Sequence, residues 1–532
     1  MSDVRPNPWT PRRCGGDEVG WPRFAVFVAL SVLMTACPKE PKPSLPPLRA
    51  PNSSGADAPS AATSSPELKG PSPTPPSVTS SPALDALQKP SRRSAIVDRA
   101  NRPSNTAQPR TEPVRLSGIA PQRYPARRTL SPMTPGVAAN IHAIAGRNVG
   151  LSEDVFIKVG ASGSATPHLL GCLATRDVVL GDFKALSGTL EAFRRGPRKP
   201  LERKSLAARP GKTARWALTP TAQGTSPLAQ EVAEMAGRFA LVHYGTNDMH
   251  MATRFVDALH PFARHLTTIV DRLAAQGVVP ALGTLSPRLD RPDADHWVPV
   301  YNQVVRAVAQ ARAVPLLDMH AAMLALPNLG RAADALHANM LVDGGRARPC
   351  VFTERGLRYA YNVRNYLSLR LLDQLRRIAR RESYDAEEGD PALPGDGSPK
   401  TPWRIDGLPF ADLRDIRRSP HLEHRSASCQ AGNPPARTGP EFVYEIELKE
   451  PTRLRVVAVN LTGTDVDVYL LRADGRECLR YAGQEIAGRF VPGTYRIVVD
   501  TRLSGELPRW GEYVLVAVPC SRADKGCEAP AF

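Results

Sequence analysis

The chain is predicted to be an α/β protein with a mostly parallel sheet, followed by an all-β sandwich and preceded by a disordered linker. Three observations carry that prediction. Short apolar runs such as residues 239–244 end abruptly in polar, glycine-bearing turns, as buried parallel strands do. Between residues 138 and 381 such runs alternate with helix-length amphipathic stretches. Beyond residue 402 the pattern changes to strand-length segments separated by turn residues.

Taken in order, residues 1–37 read as an export signal. Arg12, Arg13 and Arg23 precede the apolar run 24–34, which is too short to span a bilayer comfortably. The run ends in Leu33-Met-Thr-Ala-Cys37, and small residues directly before a cysteine resemble a bacterial lipoprotein signal. On that reading Cys37 becomes the lipidated first residue and anchors the protein to a membrane of the cell envelope. An ordinary cleaved signal with an incidental cysteine is the alternative. Residues 38–135 are rich in proline, serine and threonine, lack apolar periodicity and cannot bury enough surface to offset their ordering entropy. They are expected to be a disordered tether. The net charge of +17 is scattered along the chain, with no aromatic-interleaved basic stripe, so nucleic acid is not expected as a partner.

Residues 136–383 form the α/β domain. Strands are expected at 155–159, 239–244, 278–282 and 314–317, with helices at 255–273, 297–311 and 355–380. Residues 167–172 read as a helix start, and Ser226-Pro227 as an N-cap with proline in the first turn. Residues 384–402 are a Pro/Gly-rich linker. In 403–532 the segments 442–448, 453–459, 466–471, 493–499 and 513–518 predict an antiparallel β-sandwich. Setting aside Cys14 and Cys37 leaves six cysteines, Cys172 and Cys350 in the first domain and Cys429, Cys478, Cys520 and Cys527 in the second. One disulfide in the former and two in the latter suit an oxidising compartment, with the connectivity open.

In open α/β sheets, ligand sites form beyond the carboxyl ends of the strands. Three polar stretches fall at such places: Gly160-Ala161-Ser162-Gly163-Ser164, Gly245-Thr246-Asn247-Asp248 and Asp334-Ala335-Leu336-His337. A carboxylate three residues before an imidazole reaches its Nδ1–H and fixes the tautomer. Gly245 permits a sharp turn, and Asn247 can aim an amide N–H at a bound oxygen. A serine, a buttressed histidine and an asparagine donor are the parts needed for acyl transfer. Ser164 is a second candidate hydroxyl beside Ser162. His250 follows the asparagine turn and is a candidate substrate contact, as is Gly245. His243 and His320 read as structural histidines, and Asp318 as a helix N-cap. No His/Cys/carboxylate cluster has metal-ligand spacing, so neither metal nor cofactor is expected.

These three stretches, in this order, resemble the SGNH (GDSL-type) hydrolase family over residues 138 to 381. The resemblance implies a three-layer α/β/α fold with Ser162 as nucleophile, His337 as base and Asp334 as its orienter. Oxyanion donors would be the Ser162 backbone N–H, Asn247 and a second-block glycine. Gly211 is chosen for that last role, although Gly171, Gly181, Gly188, Gly196 and Gly224 lie in the same interval. The family's Gly-Asp-Ser is here Gly160-Ala161-Ser162, so one supporting acceptor is missing. The strands beginning Asp465-Val-Asp-Val-Tyr and Gly493-Thr-Tyr-Arg resemble pre-peptidase C-terminal or carbohydrate-binding sandwiches.

The function expected is an exported serine esterase that removes acyl groups, for instance acetyl groups from envelope or extracellular glycans. Its partner would be an acylated small molecule or glycan. Two alternatives stay open: an O-acyltransferase acting on an envelope polysaccharide, and an inactive glycan-binding lipoprotein that keeps the fold. Ala161 motivates the second.

Overall fold

The computed structural model describes residues 121–126, 128–419, 421 and 439–532, except 502, 505 and 506. The signal segment, Cys37, Cys429 and most of the linker lie outside these residues.

The α/β part is built from α1 (Pro135–Ala145), β1 (Ser152–Gly160), α2 (Ser162–Ala165), α3 (Ser187–Arg195), α4 (Ala214–Leu218), α5 (Pro227–Met235) and β2 (Gly237–His243). It continues with α6 (Phe255–Ala275), β3 (Val279–Gly283), α7 (Pro292–Asp295), α8 (Val298–Ala311), β4 (Leu316–Leu317), α9 (Met319–Leu324) and a hairpin of β5 (Val342–Asp343) and β6 (Arg346–Ala347). Helix α10 (Ala360–Ala379) closes it. The central sheet has the order β1-β2-β3-β4 and every pairing is parallel. Helices α1, α3 and α10 pack together on one face, and α4, α5, α6 and α8 on the other. With both faces covered, Val155, Phe156, Ile157 and Val159 of β1 are all buried. Local signals act as expected at α5, where the Ser226 hydroxyl accepts from the Ala229 N–H and Pro227 opens the helix.

Two expected helices differ. Residues 167–172 form no α-helix; a turn leads into a short 3-10 helix at Gly171–Ala174. Leu170 takes a positive φ of 62° there, and its N–H is held by the Asn365 side chain at 2.8 Å. The last helix begins at Ala360, after a separate 3-10 turn at Gly356–Arg358.

The C-terminal part contains β7 (Trp403–Ile405), β8 (Phe410–Asp415), β9 (Glu441–Leu448), β10 (Thr452–Asn460), β11 (Val466–Arg472), β12 (Cys478–Ala482) and β13 (Glu485–Phe490). It ends with β14 (Gly493–Thr501), the short pair β15 (Leu503–Ser504) and β16 (Leu507–Pro508), and β17 (Glu512–Pro519). Two sheets, β13-β10-β17-β8 and β12-β11-β14-β9-β7, enclose an apolar core. All pairings in them are antiparallel except β7 with β9. The outer face of the first sheet packs on α8 and α6, so Val457, Val459, Val514 and Val516 join the α/β core. Polar ties cross the seam. Arg312 pairs with both Asp271 and Glu512 at 2.8 and 2.7 Å, and the Asn460 N–H donates to His260 Nδ1 at 2.9 Å. Disulfides join Cys172 to Cys350 and Cys520 to Cys527, and Cys478 is also disulfide-bonded.

Candidate active site

β1 ends at Gly160, where a side chain would collide with Ser164 and with the His243 carbonyl, so only glycine fits. The chain then turns through Ala161 into α2, which places Ser162 at the carboxyl edge of the sheet. Ser162 Oγ lies 3.3 Å from His337 Nε2, and His337 Nδ1 lies 2.6 Å from Asp334 Oδ2. The other Asp334 oxygen accepts the backbone N–H groups of Leu336 and His337 at 3.1 and 2.8 Å. Those bonds, the imidazole's above all, pull the Asp334 carboxyl down to about 2. Ala335, at φ 59°, makes the tight turn that lets one carboxylate reach all three donors. The His337 and Asp334 side chains are 46% and 52% exposed, so the dyad opens directly to solvent.

The Gly245–Asp248 turn follows β2, which pairs in parallel with β1, and so leaves the same carboxyl edge of the sheet as Ser162. Gly245 has φ 126°, and a Cβ would stand 2.5 Å from Leu285 Cδ1. Asp248 is buried and accepts from the Ala214 and Gly245 N–H groups at 2.9 and 3.1 Å. Burial raises its carboxyl to about 6. The Asn247 amide donates to the Lys212 carbonyl at 2.9 Å, which fixes the side chain and leaves its second N–H for another acceptor. Gly211 is the residue before that carbonyl, at φ 74°, in a loop that follows hydrogen bonds between Gly160 and residues Ala207 and Arg209. The asparagine and the second-block loop are therefore joined to each other and to β1.

The remaining candidates are placed as follows. Ser164 is buried against Gly160 with no hydrogen-bond partner for its hydroxyl. His250 stands among arginines, 2.8 Å from Arg288 and 3.5 Å from Arg291, and desolvation first and then their charges lower its pKa. His243 is half-buried, donates to the Thr284 carbonyl at 3.0 Å and is held down to about 3 by desolvation first and then Arg364. Asp318 caps α9 through the Ala321 N–H and pairs with Arg306.

Three arginines near the site went unrecognised in the sequence. Arg288 donates to the Thr246 carbonyl, Arg331 to the Leu336 carbonyl and Arg364 to the Gly163 carbonyl. Each braces a segment bearing a candidate residue. Arginine on a polar loop or an amphipathic helix reads as a solvated charge, and only the buried stripe Asn362, Arg364, Asn365 and Ser368 on α10 hinted otherwise.

A serine, an imidazole and a carboxylate in hydrogen-bonding sequence thus stand at the carboxyl edge of a parallel α/β sheet, the arrangement acyl transfer needs. Residues 191–341 match the family model described as GDSL-like Lipase/Acylhydrolase, a span that includes Asn247, Asp334 and His337 and begins after Ser162. That stretch is thus similar to a GDSL-like lipase/acylhydrolase domain. No curated protein sequence matches it. Among solved structures, a two-domain esterase active on acetylated mannans is similar at 10% identity, covering 76% of this chain and 98% of its own, with TM-score 0.25. An acetylxylan esterase from Geobacillus stearothermophilus, solved as a catalytic mutant, is similar at 15% identity over 42% of this chain and 95% of its own, TM-score 0.27. The pre-peptidase C-terminal domain of a Bacillus anthracis collagenase is similar at 18% identity, covering 21% of this chain and 91% of its own, TM-score 0.16.

Proposed function

We propose that the protein is an exported serine esterase working through Ser162, His337 and Asp334. The observation that carries this is the unbroken hydrogen-bonded series from Ser162 Oγ through the imidazole to the Asp334 carboxylate. As Ser162 Oγ bonds to the ester carbonyl carbon, its proton passes to His337 Nε2 and the carbonyl oxygen becomes an oxyanion. Asn247, the Ser162 N–H and Gly211 are the donors assigned to that oxygen. Collapse breaks the bond to the alcohol oxygen, which takes the proton from the imidazolium. Water then adds to the acyl carbon, gives a proton to His337, and the acid leaves as Ser162 is restored. Asp334 stays ionised and orients the ring throughout.

The open position of the dyad suits a bulky alcohol carrying a small acyl group, and acetyl groups on envelope or extracellular glycans are the substrate class assigned. Export is supported by the signal-like residues 1–37 and by the disulfides. Lipid anchoring at Cys37 belongs to the same reading. The test is labelling of the secreted protein with a fluorophosphonate, alongside acetate release from p-nitrophenyl acetate and from an acetylated polysaccharide. Labelling at Ser162 with acetate release is expected. A protein that neither takes label nor turns over an ester refutes the reading, and acetyl transfer to a glycan without acetate release replaces it with the transferase.

A further inference from the structure

Seven arginines are buried among the described residues: Arg238, Arg288, Arg306, Arg312, Arg331, Arg364 and Arg455. Burying a guanidinium is costly unless a carboxylate offsets it. Five comply, pairing with Glu153, Asp290, Asp318, Asp271 and Asp524 respectively at 2.6 to 3.3 Å. The two that do not, Arg331 and Arg364, hold carbonyls next to His337 and Ser162. Arg331 still feels the attraction of Asp334, Asp290 and Asp295. Arg364 has no carboxylate at ion-pairing distance among the described residues, and both of its hydrogen-bond partners are neutral.

Arg364 projects from α10 behind the nucleophile turn. Its Nη1 donates to the Gly163 carbonyl at 2.8 Å and its Nη2 to His243 Nδ1 at 3.3 Å. His243 is left as an acceptor there because its Nε2–H is committed to Thr284. Neither partner is charged, and arginine remains protonated at any working pH. Ala161 matters here as well. A carboxylate at that position, as in the Gly-Asp-Ser pattern, would stand two residues from the carbonyl Arg364 holds and would offset its field.

Resting on the esterase reading above, we propose that Arg364 is a positioning residue for ester hydrolysis whose unneutralised charge favours the oxyanion formed when Ser162 adds to the ester. The group touches no substrate. It fixes the turn through Gly163 and supplies a preorganised positive field in a low-dielectric setting, where such a field acts most strongly on charge developing in the transition state.

The experiment compares Arg364→Lys and Arg364→Gln, with rates expressed per site titrated by fluorophosphonate. Glutamine can donate to the Gly163 carbonyl without charge, whereas lysine keeps the charge and loses the two-pronged bridge. The expected result is a fall in kcat of about 10²-fold for Arg364→Gln with little change in KM, and recovery to within about tenfold of wild type in Arg364→Lys. Equal kcat in the lysine and glutamine variants overturns the proposal, as does a loss confined to the number of titratable sites. Failure of the esterase reading would appear separately, as a wild-type protein that takes no label.

Discussion

Ser162 Oγ and His337 Nε2 stand 3.3 Å apart although 175 residues separate them in the chain. Two rigid features bring them together. β1, locked in parallel register with β2, ends at Gly160 and delivers the serine to the carboxyl edge of the sheet. The turn at Ala332–Asn339 is pinned by backbone bonds from Ala332 to His337 and from Asn339 to Gly330, and the Asn339 side chain accepts from the first residue of α10.

That contact separates two neighbouring hydroxyls. Ser162→Ala should abolish fluorophosphonate labelling and ester turnover, because the hydroxyl bonded to His337 Nε2 is removed. Ser164 is 1% exposed, so Ser164→Ala should keep labelling and a rate within about threefold of wild type, the substitution removing a buried hydroxyl that has no partner. Label retained in the first variant and lost in the second would reverse the assignment.

Asn247 is held by one amide hydrogen on the Lys212 carbonyl, which aims the other. Asn247→Ala should lower kcat by about 10²–10³-fold with a smaller effect on KM, as loss of a donor that acts mainly in the transition state does. Asn247→Asp removes the donor and adds a charge that repels the oxyanion, so it should be at least as impaired. Steady-state kinetics on p-nitrophenyl acetate reads both, and a variant near wild type removes Asn247 from the oxyanion role.

The strand ends and the acid–base pair were legible because each leaves a local trace. A buried parallel strand is an apolar run, and Asp334 and His337 sit within one turn of chain. The Gly160–Ser164 and Gly245–Asp248 stretches followed from the same strand-end pattern, and the choice of Ser162 over Ser164 rested on the family resemblance. What was not legible depends on contacts distant in sequence. Arg364 reaches Gly163 across 201 residues, and Asp248 fastens a loop that begins 34 residues earlier. The surroundings of His250 were equally illegible: both ring nitrogens face guanidinium groups from the loop at Arg288–Arg291, an arrangement no local spacing encodes.

Asp248 gives a pH signature for the loop it fastens. Its carboxyl is raised from 3.8 to about 6, burial outweighing the backbone donors. Between those values the folded protein holds a proton that the unfolded chain has lost, so this group's contribution to stability falls as pH rises from about 4 through about 6. Asp248→Asn cannot titrate and turns an N–H₂ toward one of two N–H donors. It should be destabilised at every pH, and the wild-type advantage over it should shrink by on the order of 2 kcal/mol between pH 4 and pH 7. Urea unfolding at pH 4, 5.5 and 7 measures this; an advantage independent of pH would mean the carboxyl is not raised.

His260 carries the opposite dependence at the seam between the α/β part and the sandwich. Its Nδ1 must be unprotonated to accept the Asn460 N–H, and burial, assisted by Arg264, lowers its pKa from 6.5 to about 4 despite Asp257 and Asp465. Between those values the unfolded chain binds a proton that the folded protein refuses, so stability is full above about pH 6.5 and is lost as pH falls toward 4. His260→Asn offers an amide oxygen close to where Nδ1 stands and does not titrate. It should therefore overtake wild type in relative stability on acidification, by on the order of 2 kcal/mol between pH 7 and pH 4.5. The acid sensitivity should appear first in the amide protection of Asn460 and β10, read by hydrogen exchange, because that N–H loses its acceptor when the ring is protonated. Parallel stability curves for the two proteins, with Asn460 equally protected at both pH values, would show that the imidazole does not govern the seam.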